Sequence, residues 1–217
     1  MSIKNRFTSE DLERIKNAVK QAEEKISGEI VPVFVERSGF YTIANYRGAM
    51  IMAAFNFLVI ILLDRYAPAL AIIDPLFIFF VVVLGGLLGG VATHGIAPLK
   101  RLLVSQVHMD QATRRRAENA FLEEEVFNTR HRTGIVIFVS FFEHEVMVIA
   151  DRGISKVVEQ QEWDKMVQNI IEKIRLGRVT EGIEASILRC GEILLEKGFI
   201  KTPDDINELR DDLRIEE

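Results

Sequence analysis

Two stretches without a single charged residue dominate the hydropathy pattern, Gly48 to Leu63 and Pro75 to Leu99. About 20 apolar residues span a hydrocarbon core of ~30 Å, so the second run is long enough and the first, at sixteen residues, is slightly short. Tyr46, Arg47 and Arg65 extend it, because long amphipathic side chains reach the interface from just inside. Neither run keeps the polar face that a helix in a water-soluble core normally shows. The pattern predicts a helical hairpin over 46–99, with spans at 48–63 and 75–96. Its connector runs from Asp64 to Asp74 and is broken by Pro68.

Outside these runs the periodicity changes. Thr8 and Asp11 stand at capping-box spacing, with Phe7 and Leu12 placed as a hydrophobic staple. Leu12, Ile15, Val19, Ala22 and Ile26 then mark one face of a helix that Ser27-Gly28 closes. Glu29 to Glu36 is apolar on both alternating faces, as in a strand covered above and below. Pro32 lacks an N–H and places that strand near a sheet edge or at a local irregularity. One helix and one strand bury too little to stand alone.

The remainder follows the hairpin. A charged helix is expected over about 108–130, with Ala117, Ala120, Phe121 and Phe127 as its apolar side. Strands at Ile135–Phe141 and Glu145–Ala150 are joined by so short a link that they must be antiparallel. Two amphipathic helices come next. Trp163, Met166, Val167, Ile170, Ile171 and Ile174 mark the first, and Ile183, Ile187, Cys190 and Leu194 the second. Thr202-Pro203-Asp204-Asp205 opens a short acidic C-terminal helix over 201–217, with Ile206, Leu209 and Leu213 on one side. Because a two-span hairpin returns the chain to the face it left, residues 1–40 and 108–200 are expected to form one discontinuous domain, with 100–107 as a juxtamembrane linker. The fold class is therefore α/β: a small mixed-sheet layer domain interrupted by a two-span transmembrane hairpin.

Charge refines this picture. Twenty-seven Lys and Arg against 32 Asp and Glu give a net charge of −5 in 217 residues, which provides no field for nucleic acid. Arg37, Arg47, Lys100, Arg101, Arg114, Arg115 and Arg116 flank the hairpin, against Arg65 alone in its connector. Basic flanks stay cytoplasmic, so both termini and the α/β domain are expected on the cytoplasmic side of the cell's inner membrane. The single cysteine, Cys190, suits a reducing compartment, and Met1 to Asp11 does not read as a signal peptide. Within the second span, Gly85, Gly86, Gly89 and Gly90 form overlapping small-xxx-small patterns that admit a close backbone, either the first span or a second copy. Arg114, Arg115 and Arg116 are candidate contacts to anionic lipid headgroups, or else a solvated helix face.

Three segments carry a resemblance. Ser27-Gly28-Glu29-Ile30-Val31-Pro32-Val33, His131-Arg132-Thr133-Gly134-Ile135-Val136-Ile137-Phe138-Val139-Ser140 and Val148-Ile149-Ala150-Asp151-Arg152-Gly153-Ile154 resemble the three strand motifs of the TPM-domain family, in its bacterial membrane branch. The resemblance implies either an acid phosphatase or an accessory factor for assembly, repair or regulation of membrane complexes. The family's glycine-rich turn after the third strand stands here as Ala150-Asp151-Arg152-Gly153.

Phosphoryl transfer needs a nucleophile or metal-bound water and cations for the phosphoryl oxygens. Asp151, Arg152 and Glu29 are the catalytic candidates, with Glu36, His131 and Arg132 also at strand ends. Asp151 is the candidate ligand for a hard cation, Ca or Mg, and Arg152 suits a phosphate. No P-loop, nucleophile elbow, DxD cluster or His-rich metal spacing accompanies them. The expected role is a membrane-anchored accessory, interaction or regulatory module without a resident cofactor, working with the lipid bilayer and a membrane-protein partner or a second copy. The alternative is a metal-assisted phosphatase.

Overall fold

The computed structural model describes residues 7–70, 74–202 and 208–216. In chain order its elements are α1 (Ser9–Glu23), β1 (Glu29–Val35), α2 (Thr42–Tyr66), α3 (Pro75–Gly95), α4 (Ala97–Leu102), α5 (Gln106–Glu123), β2 (Gly134–Ser140), β3 (Glu145–Ala150), α6 (Arg152–Ser155), α7 (Gln160–Arg175), α8 (Val179–Glu196) and β4 (Arg214–Glu216), with a 3-10 turn at Pro68–Leu70. They fall into two compact units. One joins Met1–Ser38 to Asp110–Glu217, and the other is Gly39–Met109.

The first unit is a mixed four-stranded sheet in the order β3-β2-β1-β4. β1 runs parallel to β2 and β4, and β2 antiparallel to β3. Alternation along the strands separates two cores. Ile30 and Phe34 of β1 and Ile135, Ile137 and Val139 of β2 face α1, α7 and α8, among them Ile15, Trp163, Ile170 and Ile187. Val31, Val33, Val35, Val136 and Phe138 face the other way, against Ala117 and Ala120 of α5. Every residue of β1 and β2 is buried, as runs apolar on both faces require.

Local signals act where the spacing placed them. Thr8 Oγ1 accepts the Asp11 N–H at 3.1 Å and Asp11 Oδ2 accepts the Thr8 N–H at 2.9 Å, closing the capping box. Phe7 stacks on Phe34 and Phe141, with ring centroids 5.3 and 6.1 Å away. β1 lies beside the short edge strand β4, so Pro32 stands near a sheet edge as its missing N–H suggests. The strand tolerates it for a geometric reason. Glu29 donates its N–H to Thr133 O on the β2 side, whereas Ile30 donates to Glu23 Oε1, so alternation turns the Pro32 nitrogen away from β2. On that side pairing with β4 begins only at Val33.

Two expectations are corrected. The helix placed at 108–130 ends at Glu123, because the chain turns at Glu125 (φ 52°) and carries Val126 back over the sheet. The acidic C-terminal helix does not extend through the described part of its range. Residues 208–213 are irregular and Arg214–Glu216 is a strand, while the expected start at 203–207 lies outside the described residues. Pairing with the open side of β1 outweighs the weak helical pattern there. Arg214 Nε meets Glu124 at 2.8 Å with only 9% of its side chain exposed, which fixes β4 on the sheet.

Glu23 is 7% exposed, and burial raises its pKa to about 8 despite the hydrogen bond from Ile30 N–H. The folded state therefore holds this proton more tightly than the unfolded state, in which the group titrates near 4.5. The contribution is fully present below that value and is lost as pH rises through about 8. Burial raises Glu145 in the same sense, to about 7. Glu23→Gln should reduce the fall in thermal midpoint between pH 5 and pH 8.5, and an undiminished pH dependence in that variant would refute the assignment.

The second unit is built on the antiparallel pair α2 and α3. Both helices are long and apolar enough to cross a membrane. α2 is longer than the uncharged run alone, taking in Tyr46, Arg47, Asp64 and Arg65. The glycines of α3 face α2. A Cβ on Gly89 would lie 2.6 Å from the Gly48 carbonyl, one on Gly86 3.3 Å from Ala53 Cβ, one on Gly90 3.5 Å from Ala49 Cβ, and one on Gly85 would collide with Asn56. Asn56 in turn donates Nδ2–H to Val81 O at 3.3 Å. The close backbone that the glycines admit is thus the first helix of the same chain. α4 and the start of α5 occupy most of the juxtamembrane stretch 100–107.

Candidate functional site

The candidate residues gather at the end of the sheet where β1 and β2 begin and β3 finishes. Glu29 is paired with Gly134 in the β1–β2 register. Asp151 N–H donates to Gly134 O at 2.9 Å, continuing the β2–β3 ladder by one rung beyond Ile135 and Ala150. Glu29, Gly134 and Asp151 therefore form one row across three strands. Alternation puts all three on the face that packs against α5, since Val31, Val136 and Ile149 belong to that core. Two strand spacings separate the outer Cα atoms by ~10 Å.

Gly134 leaves a gap in the middle of this row, and the protein fills it with backbone. A Cβ there would collide with the Val126 carbonyl and approach Val126 Cγ1 to 2.6 Å. The two carboxylates thus flank a peptide carbonyl and do not face each other across open space. Each has its own partners. Glu29 is 8% exposed, and its Oε1 accepts the Glu208 N–H at 3.1 Å, while Glu208 accepts the Arg130 N–H at 3.0 Å. Burial raises the Glu29 pKa, and the backbone hydrogen bonds from Glu208 and Leu209 oppose that shift.

Asp151 is 6% exposed and precedes α6, with Oδ1 accepting the Arg152 N–H at 2.6 Å. Its Oδ2 is buried without a hydrogen bond and lies 3.6 Å from Arg132 Nη1. Arg132 sits in the left-handed region (φ 57°), donates Nη1–H to Phe127 O at 2.8 Å and holds its guanidinium 5.8 Å from the centre of the Phe127 ring. Gly153 locks the turn from the far side. Its N–H donates to Arg132 O at 3.0 Å, and a Cβ would sit 2.5 Å from that oxygen and 2.7 Å from His131 O. Arg152 and His131 are exposed.

The structure therefore brings Asp151 and Glu29 into one row and gives Asp151 the cation of Arg132, with Arg152 entering only through its backbone N–H. Sequence reasoning missed Glu208 and Arg130. Glu208 arrives from a C-terminal segment nearly 180 residues away, and nothing local marks it. Among the described residues no three His, Cys, Asp or Glu side chains group as metal ligands. Asp151 Oδ2, the candidate ligand for a hard cation, faces the Arg132 guanidinium in this structure.

The other candidates lie elsewhere. Arg114 and Arg115 are exposed on α5, and Arg116 pairs with Glu123 at 3.0 Å. Gly85, Gly86, Gly89 and Gly90 are all on α3 against α2. Glu36 lies just past β1, and its carbonyl accepts the Phe142 N–H at 2.9 Å.

Residues 102–193 match the TPM domain. That stretch runs from the end of α4 through β2, β3 and α7 into α8 and holds Asp151 and Arg132, while α1 and β1 lie outside it. Across nearly its whole length the chain is also similar in structure to the BA42 protein of the psychrophilic bacterium Bizionia argentinensis, solved by NMR. The TM-score is 0.59 at 18% identity, covering 97% of this chain and 95% of that one, which shows a shared fold. No curated protein matches the chain.

Proposed function

We propose that the protein is a membrane-anchored TPM-like domain serving as an accessory, interaction or regulatory module for membrane protein complexes. In this reading α2 and α3 cross the inner membrane, and both termini and the α/β unit lie at its cytoplasmic face. The observation that carries it is the exposure of α2 and α3. In their most apolar windows only 11% and 17% of residues are buried, whereas a core helix of a water-soluble protein is mostly covered. Apolar surface of that extent needs lipid or protein over it. The basic flanks set the orientation, and the exposed Arg114 and Arg115 of α5 suit anionic headgroups.

The arrangement around Asp151 supports a structural use of the motif. One carboxylate oxygen holds the backbone of the turn and the other faces Arg132. Full-length protein should resist alkaline extraction from membranes, and crosslinking in native membranes should recover a reproducible membrane-protein partner. Recovery of self-contacts alone would replace the accessory role with a homo-oligomeric one. With an aryl phosphate and Mg²⁺, Mn²⁺ or Ca²⁺ the purified protein should show no turnover above background. Turnover abolished by Asp151→Ala would overturn the accessory reading in favour of a phosphatase.

A further inference from the structure

Within the unit Gly39–Met109 the charged residues are few and sorted by end. Arg47, Lys100 and Arg101 are at one end of the helix pair, while Asp64, Arg65 and Asp74 are at the other. The fold assembles the first group from separate segments. α2 begins beside the end of α3, where Gly48 and Gly89 approach, and Arg47 Nη1 donates to Leu103 O at 2.7 Å just past α4. At the other end Asp74 caps α3, with Oδ1 accepting the Phe77 N–H at 2.9 Å. The basic end is also ringed by uncovered apolar and aromatic side chains. Tyr46 is 68% exposed, Ile96 51% and Leu102, next to Arg101, 80%.

Basic groups level with exposed aromatic and aliphatic side chains, at one end of an apolar helix pair, match the boundary between acyl chains and headgroups. We infer that Arg47 and Arg101, with α4 lying in the interface, form a binding site for an anionic phospholipid headgroup. Leu102 and Tyr46 enter the acyl region beside it, whereas at the opposite end Asp64 and Asp74 outnumber Arg65 and leave no net positive charge for such lipids. This rests on the membrane-spanning reading of α2 and α3. It differs from the contact expected of Arg114 and Arg115, because every residue involved belongs to the helix-pair unit.

The test uses the full chain reconstituted in vesicles of equal parts phosphatidylglycerol and phosphatidylcholine, then extracted in a neutral detergent with its bound lipid quantified. Phosphatidylglycerol should be enriched over the bulk ratio. One basic residue near a charged surface corresponds to about a fivefold preference, so Arg101→Gln should lower the enrichment by about that factor and Arg101→Lys should preserve it. Arg47→Gln should lower it further, with thermal melts reporting whether that variant keeps its fold. Equal recovery of the two lipids from an integrated protein, or enrichment unchanged in Arg101→Gln, would overturn the headgroup site while leaving the membrane reading intact. Loss of the enrichment in millimolar inorganic phosphate would overturn it in favour of a free-phosphate site. Failure of the chain to integrate into vesicles would overturn both.

Discussion

Gly134→Ala is expected to destabilise the α/β unit by about 3 kcal/mol, the upper part of the range for forcing atoms into a filled interior. The added Cβ meets the Val126 carbonyl and Val126 Cγ1, and the carbonyl belongs to backbone that cannot rotate away as a side chain would. Val126 is fully buried, so its own side chain has no free space to move into. Gly134 anchors two strands, pairing with Glu29 on one side and accepting the Asp151 N–H on the other. Movement at Gly134 therefore reaches both candidate carboxylates. Trp163 is the only tryptophan and is buried in this unit, so urea unfolding of the full chain in detergent can be followed by its fluorescence. A change under about 0.5 kcal/mol, typical of an unconstrained surface site, would show that the Val126 segment yields freely.

The second large effect concerns α2 and α3. A Cβ at Gly90 would stand 3.5 Å from Ala49 Cβ, within the range of ~3.5–4.5 Å that a disulfide spans. The double variant Ala49→Cys with Gly90→Cys should form a bond within one chain on mild oxidation. Cys190 is fully buried and its pKa is raised by that burial, so it should not compete. Adding Gly89→Leu should cut the yield at least tenfold. Even the first added carbon would lie 2.5 Å from Met52 Cβ and 2.6 Å from the Gly48 carbonyl, so the helices must separate. Migration of the oxidised product as a dimer on a non-reducing gel would reassign the glycine face to a second copy. A yield unchanged by Gly89→Leu would contradict the close approach itself.

Much of the candidate site was out of reach of local pattern. Asp151 stood out because it ends an apolar strand beside Arg152 and Gly153, but the cation that faces it is Arg132, fixed by a left-handed backbone and the Phe127 ring. Glu29 opened a strand in both views, yet its partner Glu208 comes from the far end of the chain. Gly134 read as a strand boundary, and only the three-strand register shows that its missing side chain is the slot that Val126 occupies between two acids. The inward turn at Val126 follows a helix ending several residues before the charged pattern stops, and sequence periodicity does not register that end.

Periodicity by itself determined the elements whose reason is local: the capping box at Thr8, the apolar strands, two amphipathic helices, and two uncharged runs that nucleate long apolar helices. Side-chain period and charge spacing are properties of neighbours along the chain, so they survive without a structure. The placement of β1 inside the sheet, the conversion of the C-terminal segment into β4, the choice of α2 as the glycine partner and the Glu29–Gly134–Asp151 row were decided only in three dimensions. Each depends on which distant segment reaches an unfilled surface or an unpaired backbone edge first with the right shape. That competition among segments far apart in sequence leaves no mark on the local pattern of either one.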